Sequence, residues 1–211
     1  MGALKKVKIK LIIKIIKIID MILNTINKFI FIAIPKTAST TVHIAWGHLK
    51  HPEPPLYHMK LDECLKQNPQ CKDYFKFCFV RNPYERFIST WFNLRDPHAG
   101  HTWAKDLLKY SDVNEFCNCF VKSEYASWVH FRPQVDYIMV DSQNGMDFIG
   151  RQENFSQDFN TVCNMIGIPT PNTGRYRHTP HKTADNYLTK NSKEIIYNFY
   201  KKDFNQLDYE Q

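Results

Sequence analysis

The sequence predicts an α/β fold, a three-layer sandwich around a central parallel sheet. Two short apolar runs, one starting at Phe29 and one at Phe77, each end in a polar turn that opens a helix-forming stretch. Behind them, strand-like and helix-like segments keep alternating, the pattern of a parallel sheet covered on both faces. The length of 211 residues suits one domain that can bury a proper core.

Phe29 to Ile34 reads as a buried strand. It runs into Pro35-Lys-Thr-Ala-Ser-Thr-Thr41, a small-residue loop with one lysine and four hydroxyls, and Val42 to Leu49 follows as a helix. After a proline-rich turn, His51 to Leu56, Leu61 to Gln67 forms a polar helix. The second strand and helix run from about Tyr74 to Leu94, with Pro83 at a helix start that tolerates its missing N–H. Asp96 to Thr102 is a loop of the kind that shapes an acceptor cleft. Trp103 to Tyr110 and Val113 to Lys122 read as helical. Val135 to Val140 alternates and is β-branched, so it reads as a strand, as does Met146 to Gly150. Phe155 to Ile166 carries a helical apolar stripe. Pro169 to Lys182 is a loop with Arg175, Arg177, His178, His181 and Lys182. The last helix, Ser192 to Phe204, buries Ile195, Ile196, Phe199 and Tyr200.

Ligands of such sheets bind beyond the strand C-terminal ends, where both polar turns sit. A helix start offers unpaired N–H groups and a positive dipole end, to which Lys36 adds a charge and Thr37, Ser39, Thr40 and Thr41 add donors. The loop has no glycine and no Gly-Lys-Ser/Thr ending, so it is not an ordinary ATP or GTP site. In the second turn, Arg81 at the strand end and Ser89 two turns into the helix can close on one phosphate; the planar arginine fork suits phosphate oxygens.

The net charge of +7 does not mark a nucleic-acid binder. Residues 1–28 hold seven lysines and one aspartate, hence +6, which leaves the body close to neutral. Within this arm Lys6, Lys10, Lys14 and Lys17 share one helical side, opposite Ile9, Ile12, Ile13, Ile16 and Leu23. That fits a helix over residues 4–27 on an anionic membrane surface; the other readings are a poor signal anchor and a helix packed on the body. The six cysteines form no zinc spacing, no metal-ligand cluster is visible, and disulfides depend on compartment. Asn154-Phe-Ser156 is a glycosylation sequon, expected to be unmodified.

Pro35-Lys-Thr-Ala-Ser-Thr40 together with Val80-Arg-Asn-Pro-Tyr-Glu-Arg-Phe-Ile-Ser89 resembles the sulfotransferases that use 3′-phosphoadenosine 5′-phosphosulfate (PAPS), in particular the branch that sulfates carbohydrates. The likeness continues through His130-Phe-Arg-Pro-Gln134, Phe148-Ile-Gly-Arg-Gln-Glu-Asn154 and Tyr200-Lys-Lys-Asp-Phe204. Ala38 departs from it, standing where the family more often has glycine.

The resemblance implies a P-loop-like sandwich over residues 29–211 behind the arm at 1–28. It also implies PAPS as cofactor, no metal, and a carbohydrate acceptor. Pro35, Lys36, Thr37, Ala38, Ser39, Thr40 and Thr41 would hold the 5′-phosphosulfate, with Lys36 stabilising the leaving phosphate; Arg81 and Ser89 would hold the 3′-phosphate. Arg177 joins the expected cofactor ligands, while Arg132, Arg151, Arg175 and Lys182 would meet phosphate, adenine or an acidic acceptor, or only solvent. Arg86 would bind phosphate or pair with an acid. His58 is the first candidate for the base, since glycan 2-O-sulfotransferases have a histidine in that region; His130, His43, His98 and His101 follow. Trp91, Trp103 and Trp128 would stack on sugar or adenine, or pack in the core.

The expected location is membrane-associated, in the Golgi or ER lumen, with the cytoplasm as alternative. The competing functions are an atypical nucleotide or phosphoryl kinase and an inactive membrane-associated nucleotide-binding protein.

Overall fold

The computed structural model describes residues 23–46, 58–99, 102–172 and 181–211. The basic arm up to residue 22, the proline-rich turn at 51–56, the expected helix end at 47–49, His101, the Trp103 side chain, Arg175, Arg177 and His178 lie outside the described residues.

The strands are β1 (Leu23–Asn24), β2 (Phe29–Ile32), β3 (Phe75–Val80), β4 (Met139–Val140), β5 (Gln143–Asn144) and β6 (Phe148–Arg151). The α-helices are α1 (Ser39–Ala45), α2 (Leu61–Gln67), α3 (Pro83–Arg95), α4 (Val113–Phe120), α5 (Val135–Ile138), α6 (Phe155–Met165), α7 (Lys190–Phe199) and α8 (Lys201–Gln206). The main sheet has the order β1-β2-β3-β6: β2, β3 and β6 are parallel, and β1 is an antiparallel edge.

Alternation along the strands makes two cores. Phe29, Phe31, Ala33, Phe77 and Phe79 pack with Val42, Phe159, Val162 and Cys163, so α1 and α6 cover that face. Ile30, Ile32, Ile34, Cys78 and Val80 pack on the other face with Leu61, Cys64, Val135, Tyr137 and Ile138 of α2 and α5. Each such side chain stabilises the fold by about 1.5–3 kcal/mol on full burial. A third core joins α3, α4 and α7 through Phe87, Trp91, Phe116, Phe120, Ile196 and Tyr200. Gly150 allows β6 to pack closely, because a Cβ there would lie 2.5 Å from the Phe79 ring. The result is the predicted α/β sandwich with parallel strands at its centre.

Four local expectations change. Val135 to Val140 is not one strand: it is α5 followed by β4, which pairs with β5 in a separate two-stranded sheet. The Asp203 carboxylate accepts the N–H groups of Gln134 (2.8 Å) and Val135 (3.0 Å), which fixes a helical start. Asp141 and Ser142, at φ 48° and 65°, then turn the chain back. Residues Thr102–Lys109 form 3-10 turns rather than an α-helix. The last helix breaks at Tyr200 (φ −97°, ψ 21°), whose hydroxyl donates to the Phe131 carbonyl at 2.6 Å. Leu23, read as part of the arm, is buried in β1. All six cysteines are free thiols.

A buried polar centre joins the layers. Arg86, 1% exposed, donates from Nη1 to the His130 carbonyl (3.1 Å) and from Nη2 to the Arg132 carbonyl (2.8 Å). Its guanidinium lies 5.2 Å from the centre of the Tyr200 ring. Burial pushes the Asp203 carboxyl above its usual range, while the Arg86 charge and the donated N–H groups oppose that. Asp203→Ala would leave two buried N–H groups without acceptors at about 1–3 kcal/mol each. Urea unfolding is expected to show a loss of about 3 kcal/mol; a loss within the noise of a surface substitution would show that these bonds do not hold the joint.

Candidate functional site

The first turn follows β2. Pro35 is buried, and Lys36 (φ 67°) and Ala38 (φ 69°, ψ 17°) both adopt the left-handed conformation. For a residue with a Cβ that conformation costs roughly 1–2 kcal/mol, so strain gathers at this turn. It also explains why glycine suits position 38. Thr37 is fully buried and its hydroxyl donates to the Ile34 carbonyl at 2.9 Å, holding the turn closed. The helix begins at Ser39, earlier than expected, because Thr41 N–H and Val42 N–H both donate to the Ala38 carbonyl (2.9 and 3.3 Å). Ser39, Thr40 and Thr41 thus stand in the first turn of α1 rather than in a loop.

The second turn follows β3, the neighbouring parallel strand, so both turns open at the C-terminal end of the parallel strands. Arg81 leaves the ladder there. Its main-chain N–H donates to Gln134 Oε1 (2.9 Å), and its carbonyl accepts from Gln134 Nε2 (2.8 Å). Its guanidinium is largely buried, with Nη2 3.6 Å from Glu85 Oε2 and Nε lacking an acceptor among the described residues. Burial lowers its pKa, and the Glu85 and Glu153 carboxylates oppose that. Asn82 caps α3, its side chain accepting from Tyr84 N–H (2.9 Å) and Glu85 N–H (3.4 Å). Ser89 is buried one turn beyond Glu85 on the same helix face. Glu85 Oε1 also accepts the Ala184 N–H at 2.7 Å. The His181 ring stacks on Phe92 with centroids 5.5 Å apart. The end of the C-terminal loop is thereby tied to the helix that carries Ser89.

His58 joins the first turn. Its Nδ1 lies 2.8 Å from the Ala33 carbonyl oxygen. A carbonyl only accepts, so Nδ1 carries the proton and Nε2 is the basic nitrogen. Burial pulls its pKa down from 6.5 to about 4; the Ala33 carbonyl works against this, and the positive charges of Arg132 and Lys36 add to it. The His130 ring lies edge-on, with centroids 5.8 Å apart. Lys36, His58 and Arg132 therefore share one electrostatic neighbourhood.

Other candidates lie in structural positions. Arg86 is buried and clamps two carbonyls, and among the described residues it forms no close ion pair. Arg151 donates to the Leu207 carbonyl (2.7 Å) and lies over the Tyr209 ring. His43 is buried against Phe31. Trp91 lies in the helical core, Trp128 packs edge-on against Tyr125 at 4.6 Å, and His98 is exposed.

Gln134, Glu85 and Asp203 carry the site without having been assigned a role from sequence. A carboxylate at 203 within the apolar row Ile196, Tyr200, Phe204 was the readable signal for one of them.

A lowered histidine pKa makes the unfolded chain bind more protons between pH 6.5 and 4, so this contribution to stability is present above that window and lost as pH falls through it. The loss is expected to be about 3 kcal/mol. His58→Asn keeps a donor toward Ala33 and removes the titration. Urea unfolding between pH 7 and pH 4 should be flatter in the variant, and equal slopes would show that His58 is not held neutral.

The Sulfotransferase family model matches residues 20–210 of the chain. Neither the curated proteins nor the solved structures give a match. The matched span contains both turns, His58, Gln134 and Asp203, and the protein belongs to the sulfotransferase family, the PAPS-dependent enzymes that transfer a sulfuryl group to an acceptor.

Proposed function

We propose that this chain transfers a sulfuryl group from PAPS to a hydroxyl or amine of a carbohydrate acceptor by in-line displacement. One observation carries the reading. The Ala33 carbonyl, two residues before the lysine turn, holds His58 with its basic nitrogen as Nε2, so a cation and a neutral base are built onto one strand end.

The residues present suit an adenosine bisphosphate group. The largely buried Arg81 retains an Nε without an acceptor among the described residues, and the left-handed turn at Lys36 and Ala38 brings the main chain round to face a ligand. PAPS, when bound, supplies the sulfuryl group and a phosphate leaving group. Ser39, Thr40 and Thr41 are assigned to the 5′-phosphate, Arg81 and Ser89 to the 3′-phosphate. Arg177 lies outside the described residues and is assigned to the cofactor on resemblance.

Group transfer of this type passes through a loose transition state with charge growing on the leaving oxygen. Lys36 opposes that charge, and an oriented donor in such a place contributes about 3–4 kcal/mol. His58 accepts the acceptor proton at Nε2. Burial above all, and then the positive charges of Arg132 and Lys36, hold its pKa near 4 and make it a weak base; a bound anion offsets the two charges and restores that part of its basicity. The carbohydrate acceptor rests on the resemblance of the two turns to the carbohydrate branch.

The test is thermal unfolding of the full chain with PAP (adenosine 3′,5′-bisphosphate), with ATP, and with neither. PAP at 100 times its dissociation constant is expected to stabilise by about 2.7 kcal/mol, and Arg81→Ala should remove that gain. Stabilisation by ATP exceeding that by PAP would favour a kinase instead. Lys36→Ala is expected to abolish sulfuryl transfer while PAP still binds; full activity in that variant would overturn the mechanism. His58→Ala should reduce the rate far more than the PAP affinity, and an unchanged rate would move the base elsewhere.

A further inference from the structure

We propose that Gln134 is a positioning residue that sets the Arg81 turn for the 3′-phosphate, and so governs how strongly the site prefers a 3′-phosphorylated nucleotide. The inference rests on the reading of Arg81 as a 3′-phosphate ligand.

The main sheet stops just before Arg81: the last paired residues of β3 and β6 are Val80 and Arg151. A main chain leaving a sheet loses the partners that fix its direction. Gln134 replaces them. Its side-chain amide meets both the N–H and the carbonyl of Arg81, at 2.9 and 2.8 Å, from 53 positions away in sequence. Only one orientation of that amide satisfies both bonds, with Oε1 toward the N–H and Nε2 toward the carbonyl.

Gln134 is itself fixed. It is fully buried, and its own N–H donates to Asp203 Oδ2 at 2.8 Å, with Asp203 also fully buried. A rigid path therefore runs from the core carboxylate through Gln134 to the main chain of Arg81. At the other end the Arg81 side chain is held weakly. Its partner Glu85 is 3.6 Å away, beyond hydrogen-bond reach, and Nε has no acceptor among the described residues. The direction of the guanidinium is thus set from its root rather than from its tip, and the root is what Gln134 fixes. Gln134 acts on the nucleotide through Arg81.

The consequence is selective. The hydrogen bonds of Gln134 run to Arg81 and Asp203, on the arginine side of the site, so a nucleotide bearing only a 5′-phosphate is expected to be insensitive to it. The experiment is calorimetric titration of the full-length wild type, Gln134→Met and Gln134→Asn with PAP and with AMP, which lacks the 3′-phosphate. Methionine keeps the length and apolar body of the side chain and removes both hydrogen bonds without adding charge. Asparagine keeps the amide and shortens its reach.

Wild type is expected to prefer PAP. In both variants the PAP-to-AMP preference should fall by about tenfold or more, while AMP affinity stays within about twofold. A folded variant that keeps the wild-type preference overturns the proposal, even if its melting temperature drops, because the amide would then only brace the core. Failure of both variants to fold overturns it in the same way. Wild type without a preference for PAP over AMP sinks the 3′-phosphate reading itself, and is recognised before any variant is made.

Discussion

The rest of the structure depends on the burial of Asp203 and Arg86 at the joint of its layers. Neither is solvated, and each is held by main chain: Asp203 by the amides of Gln134 and Val135, Arg86 Nη1 and Nη2 by the carbonyls of His130 and Arg132, while Arg86 Nε has no acceptor among the described residues. Charged groups this deep are costly unless they are hydrogen-bonded. These bonds pin the 130–135 segment between α3, which carries Arg86, and α8, which carries Asp203. The same segment presents His130 toward His58 and the Gln134 amide toward Arg81. A requirement of burial in the core thereby fixes the two halves of the site relative to one another.

The two halves differ in how they handle cost. The lysine turn stores backbone strain, with Lys36 and Ala38 both left-handed, and it borders a histidine whose charge is suppressed by burial. Such strain persists only where surrounding contacts over-determine it; here the Thr37 hydroxyl, the buried Pro35 and the start of α1 do so. The arginine turn carries no left-handed residue and stores desolvation instead, with Glu85 and Glu153 supporting a charge that burial disfavours. On the proposed reading, an anion at the arginine turn offsets the cost of burying Arg81, while the lysine turn keeps its strain and offers a fixed main-chain shape.

Much of this was legible in the sequence because it is local. Phe29–Ile34 and Phe77–Val80 are apolar runs with nothing else to be but buried strands, and Pro83 marks a helix start by its own chemistry. The motif positions Lys36, Arg81 and Ser89 fall at strand ends and in α3, as their turns implied. What was not legible depends on partners distant in sequence. The β-branched alternation of Val135 to Val140 signals a strand, yet a carboxylate almost seventy residues on anchors a helical turn there. The break at Tyr200 depends on the Phe131 carbonyl. Arg86, beside a phosphate motif, read as a ligand or ion-pair partner, and only the fold shows that its Nη1 and Nη2 donate to main-chain carbonyls. Gln134 stands in a segment that carries the family likeness, but its bonds to Arg81 need two segments brought together and are not readable from either alone.

The near-neutral body of the chain bears on how such a site gains affinity. A broad basic face attracts any polyanion, and its pull weakens steeply with salt. Here the cations lie in buried or half-buried positions, and Arg81 sits between two carboxylates that cancel its long-range field. Little attraction extends into solution. On the proposed reading, a phosphate arrives at close range, in the direction the main chain sets, before Arg81 favours it over Glu85. Selectivity in that arrangement would come from geometry at contact rather than from charge at a distance. It would then depend on the buried groups that hold the turn, whereas most of the net charge lies in the lysines of the N-terminal arm.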